Sequence, residues 1–272
     1  MEPLGVDTAF VGSVPELYQR YFVPLIFEPY AVELADRAAR LRPARVLEIA
    51  AGTGVVTRHL AATLPTETTI VATDLNQAML DQAVAAGIAR TVEWRQADAM
   101  ALPFPDVSFD LVICQFGAMF FPDKAHAFAE ARRVLRPGGQ YLFNVWDRIE
   151  ENDFANLVTE TLATMFPDDP PRFMVRTPHG YHDLAVIAAD LRRGGFTEEP
   201  ATTTLSARSR ADSPRIAALA YCQGSPVRGE IEARGPSRLG EATDLVTAAI
   251  TRVYGDGAVD GKIQAHIIAV DA

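Results

Sequence analysis

The sequence predicts an α/β fold, a doubly wound, seven-stranded and mostly parallel sheet, and two observations carry that prediction. Between residues 45 and 145, short apolar runs alternate with helical patterns, the sequence form of successive right-handed strand–helix–strand units. Three of the runs also close on a carboxylate, at Glu48, Asp74 and Asp98. In open sheets of this kind ligands gather outside the carboxyl ends of the strands, so three acids there predict a polar ligand.

The first strand, Val46-Leu-Glu-Ile, gives way to the small residues Ala50-Ala51-Gly52-Thr53-Gly54 before a helix opens. Such a loop lets a ligand approach the backbone closely, beside the unpaired N–H groups of a helix N-terminus. A side chain at Gly52 is expected to crowd it. Glu48 is read as a fixed negative charge, which suits a ligand carrying a cation or ammonium rather than a pyrophosphate. Thr69–Thr73 reads as the second strand. Asp74 follows it about twenty residues after the glycines, where a carboxylate accepts both hydroxyls of a ribose. Asn76 and Met79 open the next helix on one side of the same crevice. Val92–Gln96 is the third strand and runs into Ala97-Asp98-Ala99, where Asp98 suits an exocyclic amine such as that of adenine.

The fourth strand is Phe109-Asp-Leu-Val-Ile-Cys-Gln-Phe-Gly. The run Ala131-Arg-Arg-Val-Leu-Arg-Pro-Gly-Gly then ends a helix and turns into the fifth, Gln140–Val145. With these motifs in order over residues 40–147, the chain resembles the class I S-adenosylmethionine-dependent methyltransferases, in the type 11 or ubiquinone-biosynthesis-like branch that acts on small molecules. In that family the first loop usually carries three alternate glycines. Here Ala50 stands at the first, leaving Gly52 and Gly54.

The resemblance implies S-adenosyl-L-methionine as cofactor, with S-adenosyl-L-homocysteine as product. It assigns to the cofactor Glu48, Ala50, Ala51, Gly52, Gly54, Asp74, Leu75, Asn76, Met79, Ala97, Asp98 and Ala99, with Gln115, Phe116 and Phe120 flanking it after the fourth strand. It also implies one methyltransferase domain over residues 1–272. An N-terminal lid over 1–40 and insertions at 148–195 and 212–260 would contribute to a helical cap. Residues 14–40 read as helical with interruptions at Pro24 and Pro29. A helix over 152–166 precedes the turn Pro167–Pro171. Leu184, Ile187 and Leu191 share the face of a helix that Gly194-Gly195 ends. Thr202–Ser206 and Gln264–Val270 fit strands six and seven, the last antiparallel beside the fifth as in the family. On the acceptor side the expected residues are Tyr18, Tyr21, Phe22, Trp146 and Arg228.

A dinucleotide oxidoreductase is the nearest competitor on a related fold. Its glycine fingerprint would place a third small residue at Thr57, and no Tyr-x-x-x-Lys pair occurs. A binding module that holds the methyl donor without transfer is a second alternative. A protein or RNA methyltransferase is a third. The net charge of −10 disfavours a polyanionic substrate, and strand four lacks the Asn/Asp-Pro-Pro-Tyr/Phe motif of enzymes that methylate amines in polymers. Arg132, Arg133 and Arg136, and Arg208, Arg210 and Arg215, read as solvated helix and strand ends. Neither cysteine belongs to a disulfide or zinc pattern, and Cys114 reads as a buried small hydrophobe.

The opening Met-Glu-Pro-Leu-Gly-Val-Asp reads as no secretion signal, and no apolar run is long enough to span a membrane. A cytoplasmic protein, monomeric or homodimeric, is expected. Methyl transfer is a direct displacement in which alignment of donor and acceptor supplies roughly 7–11 kcal/mol of the barrier. A catalytic residue is therefore not obligatory, and the sequence assigns none. His179, His182 and Tyr21 are candidate bases, His59, His126 and His266 read as packing or solvent residues, and no metal site is expected.

Overall fold

A computed structural model describes residues 14–272, and the readings made for residues 1–13 lie outside it. Along the chain, α1 (Val14–Leu17) passes through a π-helical stretch, Tyr18–Phe27, into α2 (Glu28–Leu41). Then follow β1 (Arg45–Glu48), α3 (Val55–Thr63), β2 (Thr69–Asp74), α4 (Gln77–Ala86), β3 (Glu93–Gln96), β4 (Phe109–Gln115), α5 (Lys124–Val134) and β5 (Leu135–Trp146). The remainder is α6 (Asp153–Met165), α7 (Phe173–Arg176), α8 (Leu184–Arg193), β6 (Ala201–Ala211), α9 (Pro214–Gln223), α10 (Val227–Ala233), α11 (Leu239–Tyr254) and β7 (Val259–Asp271).

The strands form one sheet in the order β3-β2-β1-β4-β5-β7-β6, with β1 to β5 parallel. Asp147 N donates to Gln264 O and Ala272 N to Gly139 O, so β7 runs antiparallel beside β5, as expected. Beneath this order the chain divides into two compact units. A sheet unit comprises Pro29–Val145, Tyr181–Leu205 and Ala265–Ala272; a second unit comprises residues 14–28, Trp146–Gly180 and Ser206–Gln264.

In the sheet unit the central strands are buried on both faces. Val46, Leu47, Val71, Ala72, Leu111, Val112, Ile113, Leu142 and Phe143 are essentially inaccessible, which is why they read as unbroken apolar runs rather than alternating ones. Asp110 ties β4 to the start of β1, accepting from Ala44 N (2.9 Å) and Arg45 N (2.7 Å). The fifth strand begins earlier than Gln140: Phe109 pairs with Leu135 and Leu111 with Gln140, so residues 136–139 bulge out of the ladder. Gly138, at φ +77°, supplies the turn that the sequence placed before the strand.

In the second unit, α6, α9 and α11 pack on one another. Phe154 meets Tyr254 edge to face and lies where a Cβ on Gly261 would stand, 3.1 Å away. Pro24 does not interrupt the N-terminal helix as expected. The turn around it widens, with Glu28 N donating to Val23 O five residues back, a spacing that accommodates the missing N–H and the ring of the proline. The predicted insertion over 212–260 contains α9, α10 and α11.

Candidate active site

The loop after β1 is shaped by backbone conformation more than by side chains. Ile49 N still pairs with Ile113 O (2.8 Å), after which Ala50 (φ 55°), Gly52 (φ 56°) and Gly54 (φ 79°) all take left-handed conformations. Ala51 N donates to Thr73 O and Gly54 N to Ala51 O, each at 2.9 Å, which folds the loop across the end of β2. Gly54 is the N-cap of α3, with no side chain capping that helix.

The two glycines of the loop differ in the room around them. A Cβ on Gly52 would meet only Met79 Cε, at an ordinary 3.6 Å. Gly54 is the packed one: its Cβ would stand 2.8 Å from Trp94 Cη2 and 3.2 Å from Ala83 Cβ.

Asp74 organises the crevice. Its Oδ2 accepts from Gly52 N and its Oδ1 from Asn76 N, both at 2.8 Å, so one carboxylate fixes the glycine loop and the start of α4 together. Burial raises its pKa, opposed by these backbone hydrogen bonds. The next strand end is tied in through Ala97 N to Asp74 O (3.0 Å) and Gln96 Nε2 to Leu75 O (2.8 Å). Asp98 is exposed, its Oδ1 accepting from Met100 N (2.8 Å), while Ala99 and Met79 are buried.

Glu48 departs from its sequence reading. It is 1% exposed and receives a hydrogen bond from Thr57 Oγ1 at 2.5 Å. Burial pushes its pKa up to about 8, against the lowering effect of Thr57 and of nearby Arg58. Desolvation penalises the ionised form, so in this fold the carboxyl holds its proton well above the ordinary carboxylate range.

After β4 the chain turns through Phe116, itself left-handed at φ 50°. Phe116 N donates to Asn144 Oδ1 (2.9 Å) and more weakly to Asn144 O (3.3 Å). The Phe116 ring meets the edge of Tyr30, 5.3 Å between centroids, and Tyr30 donates to Leu205 O. Gly117 lies against Ala50 and Cys114, bringing the Gln115–Phe120 turn onto the glycine loop. Thr57, Asn144, Tyr30 and Gly117 were not singled out by the sequence. Thr57 alone had a signal there, a hydroxyl in the first turn of the helix that follows Glu48.

The acceptor-side candidates fall in the second unit. Tyr18, Phe22 and Trp146 are gathered around Phe27, at ring distances of 5.2, 5.5 and 6.0 Å, and Tyr221 meets Phe22 at 5.0 Å. His179 joins through Trp146, 6.0 Å away, with its Nδ1 2.8 Å from Asp147 O. A carbonyl only accepts, so Nδ1 carries the hydrogen, and in the neutral ring the lone pair is then on Nε2. The Asp147 carboxylate is itself held by Gln264 Nε2 and Arg148 N, each at 2.7 Å. Tyr21 lies under the Arg20 guanidinium, and Arg228 pairs with Glu232 one turn along its helix. His182 belongs to the sheet unit.

Comparison with known proteins falls on the stretch of chain that carries the glycine loop and Asp74. Residues 47–143 match the family model described as a methyltransferase domain. The chain is 39% identical over 122 residues to the ubiquinone/menaquinone biosynthesis C-methyltransferase UbiE of Teredinibacter turnerae, covering 43% of this chain and 47% of that one. Its counterpart from a Marinomonas species is 41% identical over 126 residues, covering 45% and 50%. The chain thus spans about half the length of these curated relatives. Among solved structures, the YcgJ protein of Bacillus subtilis superposes with a TM-score of 0.55 at 18% identity, covering 89% of this chain and 98% of that one. A phosphoethanolamine N-methyltransferase of Haemonchus contortus, solved with S-adenosylhomocysteine, gives 0.60 at 18% identity, covering 100% and 61%. Over residues 47–143, the segment that runs from β1 into β5 and carries the glycine loop, the chain is thus similar to a methyltransferase domain and to the UbiE C-methyltransferases.

Proposed function

We propose that this protein transfers a methyl group from S-adenosylmethionine to a small, partly apolar metabolite by direct displacement. The observation that carries the reading is the junction at Asp74, where one carboxylate fixes the glycine loop through Gly52 N and the next crevice wall through Asn76 N. A carboxylate at this strand end fits the hydroxyls of a ribose. Gly54 has no room for a side chain and opens α3, whose N-terminus no side chain caps. Exposed Asp98 fits an exocyclic amine at the far end. When bound, the cofactor supplies an electrophilic methyl on a cationic sulfur.

The protein's own part is to hold two ligands aligned and to exclude water. Ala50, Ala51, Gly52, Gly54, Asp74, Leu75, Asn76, Met79, Ala97, Asp98 and Ala99 would hold the donor, with Gln115, Phe116 and Phe120 beside it and Glu48 beneath. Tyr18, Phe22 and Trp146 would offer aromatic surface to the acceptor, and His179, in the tautomer with a basic Nε2, would take a proton from it.

Among acceptor atoms, carbon is favoured by the names of the UbiE relatives. Because the family match ends at residue 143, the acceptor residues rest on their own chemistry. The net charge of −10 supports a metabolite over a nucleic acid. Among the described residues no helix is long and apolar enough to cross a membrane; a cytoplasmic monomer or homodimer is part of the proposal.

Calorimetric titration with S-adenosylhomocysteine, with NAD and NADP as controls, tests the cofactor. Saturable binding of the homocysteine compound alone is expected. Binding of a nicotinamide cofactor alone would overturn the proposal.

A further inference from the structure

The turn after β4 holds an aromatic residue in a backbone conformation that side chains disfavour. Phe116 sits at φ 50°, where a Cβ crowds the following carbonyl, so something outside the residue must hold it there. The hydrogen bonds shown for its N–H both end on one residue, Asn144, through Oδ1 at 2.9 Å and the backbone oxygen at 3.3 Å. Asn144 lies opposite Gln115 in the β4–β5 ladder and is fully buried.

Its other amide atom, Nδ2, is buried with no partner among the described residues. A buried amide that satisfies only its oxygen is unfavourable as packing, since an apolar side chain of the same size would fill the space without an unmet donor. The oxygen is thus the reason for an asparagine at this position. Its effect reaches past Phe116, because the next residue, Gly117, lies directly against Ala50 of the glycine loop.

We propose that Asn144 is a positioning residue, whose side-chain oxygen locks Phe116 left-handed and thereby seats Gly117 on the loop that would receive the cofactor. The consequence for ligand binding rests on the cofactor reading above. The consequence for the backbone does not.

Amide hydrogen exchange of the unliganded full chain, followed by mass spectrometry, tests the lock itself. In Asn144→Leu, exchange over residues 114–121 and 49–55 is expected to rise about tenfold, with α11 unchanged as a control for global folding. Asn144→Asp, which keeps an oxygen for Phe116 N, should return it close to wild type. Glycine adopts this conformation unaided, so in a Phe116→Gly background Asn144→Leu should add little further exchange. Titration with S-adenosylhomocysteine should show a parallel loss of about tenfold in affinity for Asn144→Leu, recovered in Asn144→Asp. Unchanged exchange at 114–121, or full additivity with Phe116→Gly, would overturn the proposal. A wild-type protein that binds no S-adenosylhomocysteine would sink the cofactor reading instead, and the exchange result would still decide the role of Asn144.

Discussion

A Cβ placed on Gly117 would lie 2.6 Å from the Cβ of Ala50, so the methyl at position 50 exists only because position 117 has none. Ala50 is also left-handed, at φ 55°, a conformation that disfavours any L side chain by roughly 1–2 kcal/mol. Ala50→Gly is therefore expected to leave the fold intact and to raise stability by up to about 1 kcal/mol, the relief of strain being partly offset by the freer unfolded chain. Gly117→Ala should destabilise by about 1–3 kcal/mol through overpacking. Ala50→Gly should recover only part of that loss, because Cys114 Sγ also stands 2.7 Å from the new methyl. Urea unfolding of the two single variants and the double variant measures the coupling. Strict additivity would mean that the two residues do not compete for the same space.

The two loop glycines should respond differently to the same substitution. Gly52→Ala introduces a strained φ and little else, for an expected loss of about 1–2 kcal/mol. Gly54→Ala adds a clash with the Trp94 ring and Ala83 to that strain, and about 2–4 kcal/mol is expected. Thermal unfolding of both variants ranks them. Equal losses would show that the Trp94 ring yields freely and that backbone conformation alone decides.

The sheet was legible because its central strands are buried on both faces and so appear as apolar runs, and because Glu48, Asp74 and Asp98 mark three strand ends. The residues proposed to hold the cofactor could be picked out because loop, strand and helix follow one another within short stretches of chain. What escaped were relationships across sequence distance. Asn144 looks like any polar residue in a strand until its oxygen is seen on Phe116, 28 residues earlier. Pro24 reads as a helix break because propensity knows only the α-helix, whereas the chain widens there to a π-helical spacing. The raised pKa of Glu48 escaped for a related reason: a sequence shows a carboxylate but not its burial.

Asp74→Ala should act twice. It removes the proposed ribose acceptor, weakening S-adenosylhomocysteine binding by about 1.5–3 kcal/mol. It also orphans Gly52 N and Asn76 N, so the unliganded loop should exchange its amides faster. Asp74→Asn retains one oxygen and should give a smaller loss in both. Wild-type affinity in Asp74→Ala, measured by the same titration, would remove Asp74 from the cofactor site.

Glu48 makes stability depend on pH in a direction opposite to that of an ordinary paired carboxylate. Its pKa rises from the usual 4.5 to about 8 in the fold, because burial disfavours the anion more than Thr57 and Arg58 favour it. Across that window the folded protein keeps a proton that the unfolded chain has released. The group's contribution is therefore fully present below about pH 4.5, declines by up to about 1.4 kcal/mol per pH unit, and is gone above about pH 8. Asp74, whose pKa is also raised by burial, contributes with the same sign. Glu48→Gln keeps an oxygen for the Thr57 hydroxyl and has no proton to lose. Urea unfolding of the unliganded proteins between pH 5 and pH 8.5 should show wild-type stability falling more steeply than that of Glu48→Gln, the variant overtaking it at the alkaline end. Parallel curves would mean that Glu48 is ionised in the fold across this range, held as an anion by Thr57 and Arg58 against the penalty of burial.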